Sequence, residues 1–420
     1  MLRIFFRDSF VYTLGNVLTR GIGFLMLPIY ARFFSPEKFG VIDLLTVTGT
    51  ILAIVVGLEV HQAVARFFPE ETEVTRKRSI VSTAFWFILL FYIIFFILGY
   101  FSAPLISQSL FGKTDYTELV RIAFLSFGFN FLYYFASSQL RWQLKSKENL
   151  LVSVLYSILS AIIALGLLVY FSFGVEAIFY AQICAAIISL FFSVYFSREY
   201  YGLVFDSRRL RQLTSFSLPL VFSSLMVYAM LYVDRFIITY LLDASQLGLY
   251  SFAYRIASVV GLLIAGAQAA LTPLIYNKYR EEGTPEGVAK LFRYFGGGAC
   301  ILILTLFIIS ESLVSFIGGS EFRSSGALVP WIAISILFTG VTSFTPGVFI
   351  EKKTRIVVII NTISFLINLT LCYGLVQFLG LEGAVYATAI CSFIYFLMYY
   401  VIGQKYYYIP VFRKSPKKAL

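Results

Sequence analysis

Two apolar stretches of the sequence carry charged residues, one near its middle and one toward the end predicted to lie on the outer side of the membrane. In "YTLGNVLTRGIGFLMLPIYARFF", residues 12–34, Asn16 and Arg20 are four residues apart and therefore lie on one face of a helix. Asp234 and Arg235 are neighbours in a second such stretch. A charged side chain at the centre of a bilayer costs about 2.5–3.5 kcal/mol on insertion scales. Residues kept at that cost are expected to have a function.

A third apolar stretch, residues 39–62, has ionisable groups at both ends. Asp43 lies near one end and is a candidate ion-pair partner for Arg20. Glu59 and His61 lie near the other end and are candidates for coupling or gating because both titrate, although an interfacial role suits that position equally well. His61 is the only histidine in the chain, which makes a histidine-based metal site or catalytic triad difficult to build.

The charges inside the apolar stretches do not balance. Three arginines, Arg20, Arg235 and Arg255, face two aspartates, Asp43 and Asp234, so about one positive charge is in excess. Arginine stays charged when partly buried and holds phosphate or carboxylate through a bidentate fork. The pattern predicts a water-filled cavity that binds an anionic substrate. The alternative is that these charges only pair with one another.

The elements that carry these residues are predicted from composition and length. Of the 420 residues, 59% are hydrophobic and 13% are charged, against about 25% charged in soluble domains. A membrane-spanning helix needs about 20 predominantly apolar residues. The sequence has twelve such stretches, and the fold class predicted is an all-α polytopic membrane protein. The stretches cover approximately residues 9–31, 39–62, 80–101, 118–139, 150–171, 175–196, 215–241, 246–273, 292–318, 326–349, 356–379 and 382–404.

The distribution of positive charge predicts the topology. About three-quarters of the 33 lysines and arginines fall at the two ends of the chain or in the even-numbered loops between spans. Cytoplasmic loops carry such an excess, which places both termini in the cytoplasm of a multi-pass protein of the cytoplasmic membrane. The net charge of +11 is then a topology signal that contacts anionic lipid, and a nucleic-acid partner is unnecessary.

The two halves of the sequence resemble each other. "FSPEKFGV" (Phe34–Val41) matches "LDASQLGL" (Leu242–Leu249), and "FGVEAIFYAQI" (Phe173–Ile183) matches "LGLEGAVYATA" (Leu379–Ala389) at nearly the same offset. Two copies of six helices enter the membrane from the same side, so they form parallel repeats around a central cavity, an architecture of secondary transporters. The predicted division is into a first lobe, a cytoplasmic linker and a second lobe with a basic cytoplasmic tail, at residues 1–197, 198–214 and 215–420.

Signatures of catalysis are weak in this sequence. "GKT" at residues 112–114 resembles the end of a nucleotide-binding loop, but Ser107 stands where that motif has its first glycine. The four cysteines lie in apolar runs without metal-ligand spacing. The sequence therefore predicts a protein that is not an enzyme, with no catalytic residue, cofactor or metal site. A membrane-embedded glycosyltransferase or acyltransferase is the less favoured alternative.

The openings of the two halves resemble a known family. "GNVLTRGIGFLMLPIYARFFSPEKFGVIDL" (residues 15–44) has a first helix with asparagine and arginine, a proline near its end, and a "SPEKFG" turn. "FSLPLVFSSLMVYAMLYVDRFIITYLLDASQLGLYSFAYRIA" (Phe216–Ala257) has the matching Pro-Leu, Asp-Arg and Gly-Leu-Tyr elements. Both are similar to Wzx-type polysaccharide flippases of the multidrug/oligosaccharidyl-lipid/polysaccharide exporter superfamily.

The resemblance implies a flippase for polysaccharide biosynthesis. Such a protein moves an undecaprenyl-diphosphate-linked oligosaccharide, for example an O-antigen unit, to the outer leaflet by alternating access, with membrane lipids and the polysaccharide polymerase machinery as partners. A cation-coupled multidrug antiporter of the same superfamily is the alternative, but that class favours carboxylates over arginines. The substrate-binding residues expected in the cavity are Arg20, Arg235, Arg255, Asn16, Asp43, Asp234 and Tyr254.

Overall fold

The computed structural model is helical throughout the part of the chain that it describes, and no strand occurs there. Side chains are described from residue 14 onward, apart from a few positions in the second half. The predicted basic tail, residues 412–420, lies outside the described residues. The described backbone comprises residues 2–279, 281, 283–351 and 353–411, and the further positions without a described side chain are 269–270, 272–274, 276–278 and 354.

Two compact units divide the chain, and the first is Met1–Leu225. Its buried core includes Val81, Ile88 and Phe135, contributed by the fifth and sixth helices. The helices of this unit, in chain order, are α1 (Leu2–Leu25), α2 (Leu27–Phe33), α3 (Pro36–Gly57), α4 (Val60–Phe67), α5 (Val74–Phe111), α6 (Thr117–Trp142), α7 (Ser146–Tyr170), α8 (Glu176–Phe196) and the first part of α9 (Ser207–Leu241).

The second unit is Met226–Leu420. Its buried core includes Ile275, Phe344 and Phe396. After the remainder of α9, its helices are α10 (Ala244–Ala257), α11 (Val259–Lys278), α12 (Thr284–Gly318), α13 (Val329–Val341), α14 (Gly347–Ile350), α15 (Thr354–Leu379) and α16 (Leu381–Tyr406).

The number of spans agrees with the twelve predicted from the sequence. Eleven helices of the described chain are long and apolar enough to cross a membrane. The pair of α10 and the first part of α11 makes a twelfth if it is taken as one span with a bend of 40°. The all-α polytopic fold class is therefore confirmed. At 38 and 35 residues, α5 and α12 exceed the roughly 20 that a bilayer needs, so their ends project beyond the hydrocarbon layer.

The first repeated sequence element starts an equivalent helix in each half. Ser35 precedes α3, and its hydroxyl accepts a hydrogen bond from the backbone N–H of Lys38 at 3.5 Å. Asp243 precedes α10, and its carboxylate accepts one from the backbone N–H of Gln246 at 2.8 Å. Such side chains satisfy N–H groups that have no partner within the helix. The repeat found in the sequence is thus also a repeat of local structure.

Of the helix breaks that fall within predicted spans, two lie beside predicted site residues. After α3 ends at Gly57, Leu58 and Glu59 take left-handed conformations with φ of 46° and 53°, which non-glycine residues adopt uncommonly. The continuous span predicted over residues 39–62 is therefore wrong at its second end, and Glu59 and His61 follow the membrane-spanning helix. The second break is at Ser258, between α10 and α11.

The segment between α8 and α9 is held against α5. Arg78 donates from Nε and Nη2 to the carbonyl oxygen of Tyr201 at 3.2 and 3.1 Å. Ser82 Oγ donates to the carbonyl of the residue before Tyr201 at 3.1 Å, and Trp86 Nε1 donates to that of the residue after it at 2.8 Å. These three side chains of α5 form what we call the linker clamp. It fixes a stretch of irregular backbone that would otherwise expose its carbonyl groups.

Candidate functional site

Asp234 and Arg235 form a buried ion pair in the second unit. Their side chains are 1% and 3% exposed. Nη1 of Arg235 donates to Oδ1 of Asp234 at 2.9 Å, and the backbone N–H of Arg235 donates to the same oxygen at 2.9 Å. Each charge is compensated by the other in an apolar environment, where an isolated charge would be strongly unfavourable.

Three tyrosine rings surround the guanidinium group of Arg235. Its Cζ lies 4.8 Å from the ring centroid of Tyr232, 5.5 Å from that of Tyr250 and 4.6 Å from that of Tyr254. We call these rings the tyrosine cage. The hydroxyl of Tyr250 also donates to Oδ2 of Asp234, so both oxygens of the carboxylate have donors. A desolvated cation–π contact is worth about 2 kcal/mol, so the cage and the carboxylate together fix the position of Arg235.

The break between α10 and α11 lies next to this ion pair. Tyr254, a member of the tyrosine cage, and Arg255 are in the last turn of α10, and Arg255 is half-buried. Ser258, at the break, donates from Oγ to the carbonyl of Arg255 at 2.6 Å. Interrupted helices in transporters place backbone dipoles and polar side chains near the middle of the membrane, where substrates bind. The break is therefore a suitable position for a substrate contact.

In the first unit, Asn16 and Arg20 are exposed on α1. Among the residues whose side chains are described, Arg20 has no hydrogen-bond or ion-pair partner, and the predicted partner Asp43 does not contact it. Asp43 is half-buried on α3 and has interactions of its own. Arg20 thus keeps all five of its donors for other groups.

Glu59 and His61 interact at the break between α3 and α4. Glu59 is 5% exposed, and its Oε2 accepts a hydrogen bond from Nε2 of Gln62 at 2.7 Å and lies 3.5 Å from Nε2 of His61. The imidazole of His61 packs edge-on against the rings of Phe131 and Tyr134, with centroids 6.4 and 5.3 Å apart. Burial lowers the pKa of His61, and Glu59 opposes this shift in part. His61 is therefore neutral at pH 7.

This depressed pKa predicts a stability that falls in acid. A histidine with a lowered pKa binds its proton more weakly in the folded protein than in the unfolded protein, so the stability present above about pH 6.5 is lost as the pH falls toward the lowered value. His61→Phe should flatten this part of the curve of melting temperature against pH, measured in detergent between pH 7.5 and 5. An identical acid slope in wild type and variant would contradict the assignment.

The structure brings some of the predicted site residues together and leaves others apart. Asp234, Arg235 and Tyr254 are in contact. Tyr232 and Tyr250 were not predicted as site residues, although their spacing was a usable signal. Tyr232 precedes Arg235 by three residues and Tyr250 precedes Tyr254 by four, and residues at these spacings share a helix face.

A network of neutral polar side chains in the first unit was missed by a search for charges. Ser126 Oγ donates to Oε1 of Gln182 at 3.1 Å, and Nδ2 of Asn130 donates to the carbonyl of Ser126 at 2.8 Å. The hydroxyl of Tyr156 donates to Oδ1 of Asn130. An amide inside an apolar span is the sequence signal for such a network, since hydrocarbon offers it no partner.

Solved structures of similar fold are membrane transporters. The lipid II flippase MurJ in an inward closed conformation has a TM-score of 0.78 at 18% identity, with 94% of this chain and 87% of that chain covered. A multidrug resistance MATE family transporter of the MOP superfamily in an inward-facing conformation has a TM-score of 0.74 at 16% identity, with 94% of each chain covered. At such low identity these similarities establish the fold.

Similar curated proteins have names from polysaccharide biosynthesis. The chain is 24% identical to a protein of the Lsg locus of Haemophilus influenzae over 76% of this chain and 77% of that protein. It is 27% identical to the succinoglycan biosynthesis transport protein ExoT of Rhizobium meliloti over 60% of this chain. That alignment spans only 50% of the length of ExoT.

Two family descriptions match the sequence. Residues 219–374 match MatE. Residues 5–279 match the family described as polysaccharide biosynthesis protein, which is more than half of the chain and includes Arg20, Asp234 and Arg235. The resemblance of the two sequence openings to polysaccharide flippases is confirmed at the level of the family. The chain belongs to the polysaccharide biosynthesis protein family.

Proposed function

We propose that the protein is a flippase that moves a lipid-diphosphate-linked oligosaccharide from the cytoplasmic to the outer leaflet of the cytoplasmic membrane by alternating access. The observation that carries this proposal is the unpaired state of Arg20 among the described side chains. In a member of a polysaccharide biosynthesis family, it presents a guanidinium group with no partner among the described side chains, on a helix apolar enough to cross a membrane. The oxygens of a diphosphate match the donor geometry of that group.

The names of similar proteins support this proposal. One relative is a succinoglycan biosynthesis transport protein, another is a teichuronic acid biosynthesis protein, and a lipid II flippase shares the fold. The first two names refer to polysaccharides and the third to a lipid, and the substrate class that we propose from them is a glycan built on a membrane lipid. An undecaprenyl-diphosphate carrier and a polymerase that consumes the exported unit are the partners we propose.

The predicted site residues have different roles in this mechanism. Arg20 and Asn16 lie on the same exposed face of α1 and hold the diphosphate directly. Arg255, half-buried at the broken span, is the second candidate contact. Arg235 is closed off by Asp234 and the tyrosine cage in this state, so it contributes through its position and field, and direct contact with substrate would require the cage to open.

The proposal is tested by reconstitution. Proteoliposomes containing the purified protein and a fluorescent undecaprenyl-diphosphate-linked oligosaccharide should move the lipid between leaflets, as detected by an impermeant quencher. Protein-free vesicles supply the baseline. A second candidate, a cation-coupled multidrug antiporter, is favoured by the MatE match over residues 219–374. Ethidium transport driven by a sodium or proton gradient, without movement of the glycan lipid, would establish that candidate instead.

The orientation of the chain is tested by reporter fusions. Positive charge near the even-numbered loops predicts that fusions after Phe205 and Pro285 report a cytoplasmic location and a fusion after Ser320 an external one. Alkaline phosphatase should be active only at the last position, and green fluorescent protein fluorescent only at the first two. Reversal at any of the three positions would refute the topology and the cytoplasmic placement of both termini.

A further inference from the structure

A cavity of about 200 Å³ lies within the second unit, lined by residues of α9, α10, α11, α13, α15 and α16. Its surface is mostly apolar with several neutral polar groups, and none of the described residues that line it is charged. It has space for several water molecules, which is more than a single ion needs. The polar lining residues that matter here are Ser335, Thr339, Asn368, Thr388, Tyr254 and Tyr395.

Asn368 supplies an acceptor that has no donor. Its side chain is 2% exposed, and Nδ2 donates to the carbonyl oxygen of Met230 at 2.9 Å. This bond fixes the amide orientation, and within the described part of the chain no group donates to the buried Oδ1. Leaving a buried acceptor without a donor is unfavourable, and native proteins rarely do so without a ligand or ordered water. A bound group that carries O–H or N–H would supply the missing donor.

The hydroxyl groups of the lining are also acceptors. Ser335, Thr339 and Thr388 each donate their proton to a backbone carbonyl three or four residues earlier, at 2.8–2.9 Å. Oγ1 of Thr339 also lies 3.4 Å from Oγ of Ser392. The lone pairs that remain on the three oxygens are available to a ligand. A cavity lined by neutral acceptors favours a ligand that brings several donors and no negative charge.

A hydroxylated ring fits this chemistry better than a metal cation. The nearby carboxylate of Asp234 has both oxygens engaged, by Arg235 and by Tyr250, so no negative charge is free to hold a cation. Tyr254 and Tyr395 add aromatic surface to the lining, against which the C–H face of a sugar ring can pack. We propose that this cavity binds one neutral monosaccharide residue of the transported glycan. The inference rests on the proposed flippase function and adds to it a site for sugar selection.

Filling the cavity tests the proposal. Gly261, on α11, lines the cavity, and a Cβ placed there meets only Cγ2 of Ile336, at an ordinary contact distance of 3.9 Å. Gly261→Leu therefore adds side-chain volume at the wall of the cavity, at a position where its Cβ has room. Gly266→Leu is the matched control, because that glycine is on the same helix and is not among the lining residues, and a Cβ placed there has nothing within 4 Å. Both changes favour the helical conformation equally.

The readout is a ratio of two flipping rates in proteoliposomes, for undecaprenyl diphosphate with one N-acetylglucosamine and for undecaprenyl diphosphate alone. Wild type and Gly266→Leu should prefer the glycosylated lipid, and Gly261→Leu should lower that preference about tenfold.

Equal rates for both lipids in all three proteins would overturn the sugar site but would not contradict the proposed flippase function. No movement of either lipid in wild type would overturn the flippase and this inference with it. A sodium-specific rise in melting temperature that Gly261→Leu abolishes would assign the cavity to a cation and also refute it.

Discussion

Arg20→Ala is expected to reduce flipping of the glycan lipid at least tenfold. Hydrogen bonds to a charged group contribute about 1.5–3 kcal/mol, and 1.4 kcal/mol is a factor of ten in rate or affinity. Because Arg20 has no partner among the described side chains, its removal leaves no buried carboxylate unpaired. The loss should therefore appear in transport and leave folding unchanged. Arg20→Lys should keep part of the activity, since it retains the charge but loses the fork.

The matched control for this experiment is Arg32→Ala. Arg32 is also an exposed arginine near the start of the chain, at the end of α2. Its replacement should leave flipping within about twofold of wild type, measured in the same proteoliposomes and normalised to the amount of protein inserted. Wild-type transport by Arg20→Ala would refute the assigned role. Equal losses in both variants would indicate a general effect of positive charge at the membrane.

Breaking the ion pair of Asp234 and Arg235 should destabilise the protein more than replacing Arg20 or His61. Removing one partner of a buried pair leaves the other charge uncompensated and typically costs about 3–5 kcal/mol. Both side chains are almost fully buried, and Tyr250 also depends on the carboxylate. Asp234→Asn and Arg235→Met should each lower the melting temperature in detergent markedly.

The double variant separates charge pairing from local packing. Asp234→Asn with Arg235→Met leaves no buried charge, so its melting temperature should lie above that of either single variant. Tyr240→Phe, on an exposed tyrosine of the same helix, is a control that should not change stability. If the two single effects simply add in the double variant, the pair has no coupling energy. The tyrosine cage would then be the main support of Arg235.

Much of the fold follows from local sequence signals, but the site follows only in part. Apolar length alone gave twelve spans, and the repeated Ser35 and Asp243 elements do start equivalent helices. The left-handed residues Leu58 and Glu59 have no such signal, because neither is a glycine or an asparagine. Because the residue types do not mark this break, a hydropathy window runs through it.

The environment of Arg235 illustrates why the positions of charged residues in the sequence predict only part of the site. The sequence places the residue within a membrane helix, but the direction of a side chain depends on which neighbours pack against that face. Here the side chains of Tyr250 and Tyr254, which belong to α10, pack over the guanidinium group. Neutral acceptors such as Oδ1 of Asn368 are harder still to predict, because one asparagine in an apolar span does not reveal how its amide is oriented.

The linker clamp distinguishes the two copies of the repeat. Arg78, Ser82 and Trp86 hold the chain that leaves the first copy. At an offset that matches Ser35 to Asp243, the second copy carries Glu286, Lys290 and Tyr294 at these positions.

None of these three residues preserves the type of its counterpart in the clamp. The segment that corresponds to the clamped one follows α16, where Ile409 and Val411 are buried against α12. Each copy therefore covers the same region of its core, but the donors of the clamp belong to the first copy alone.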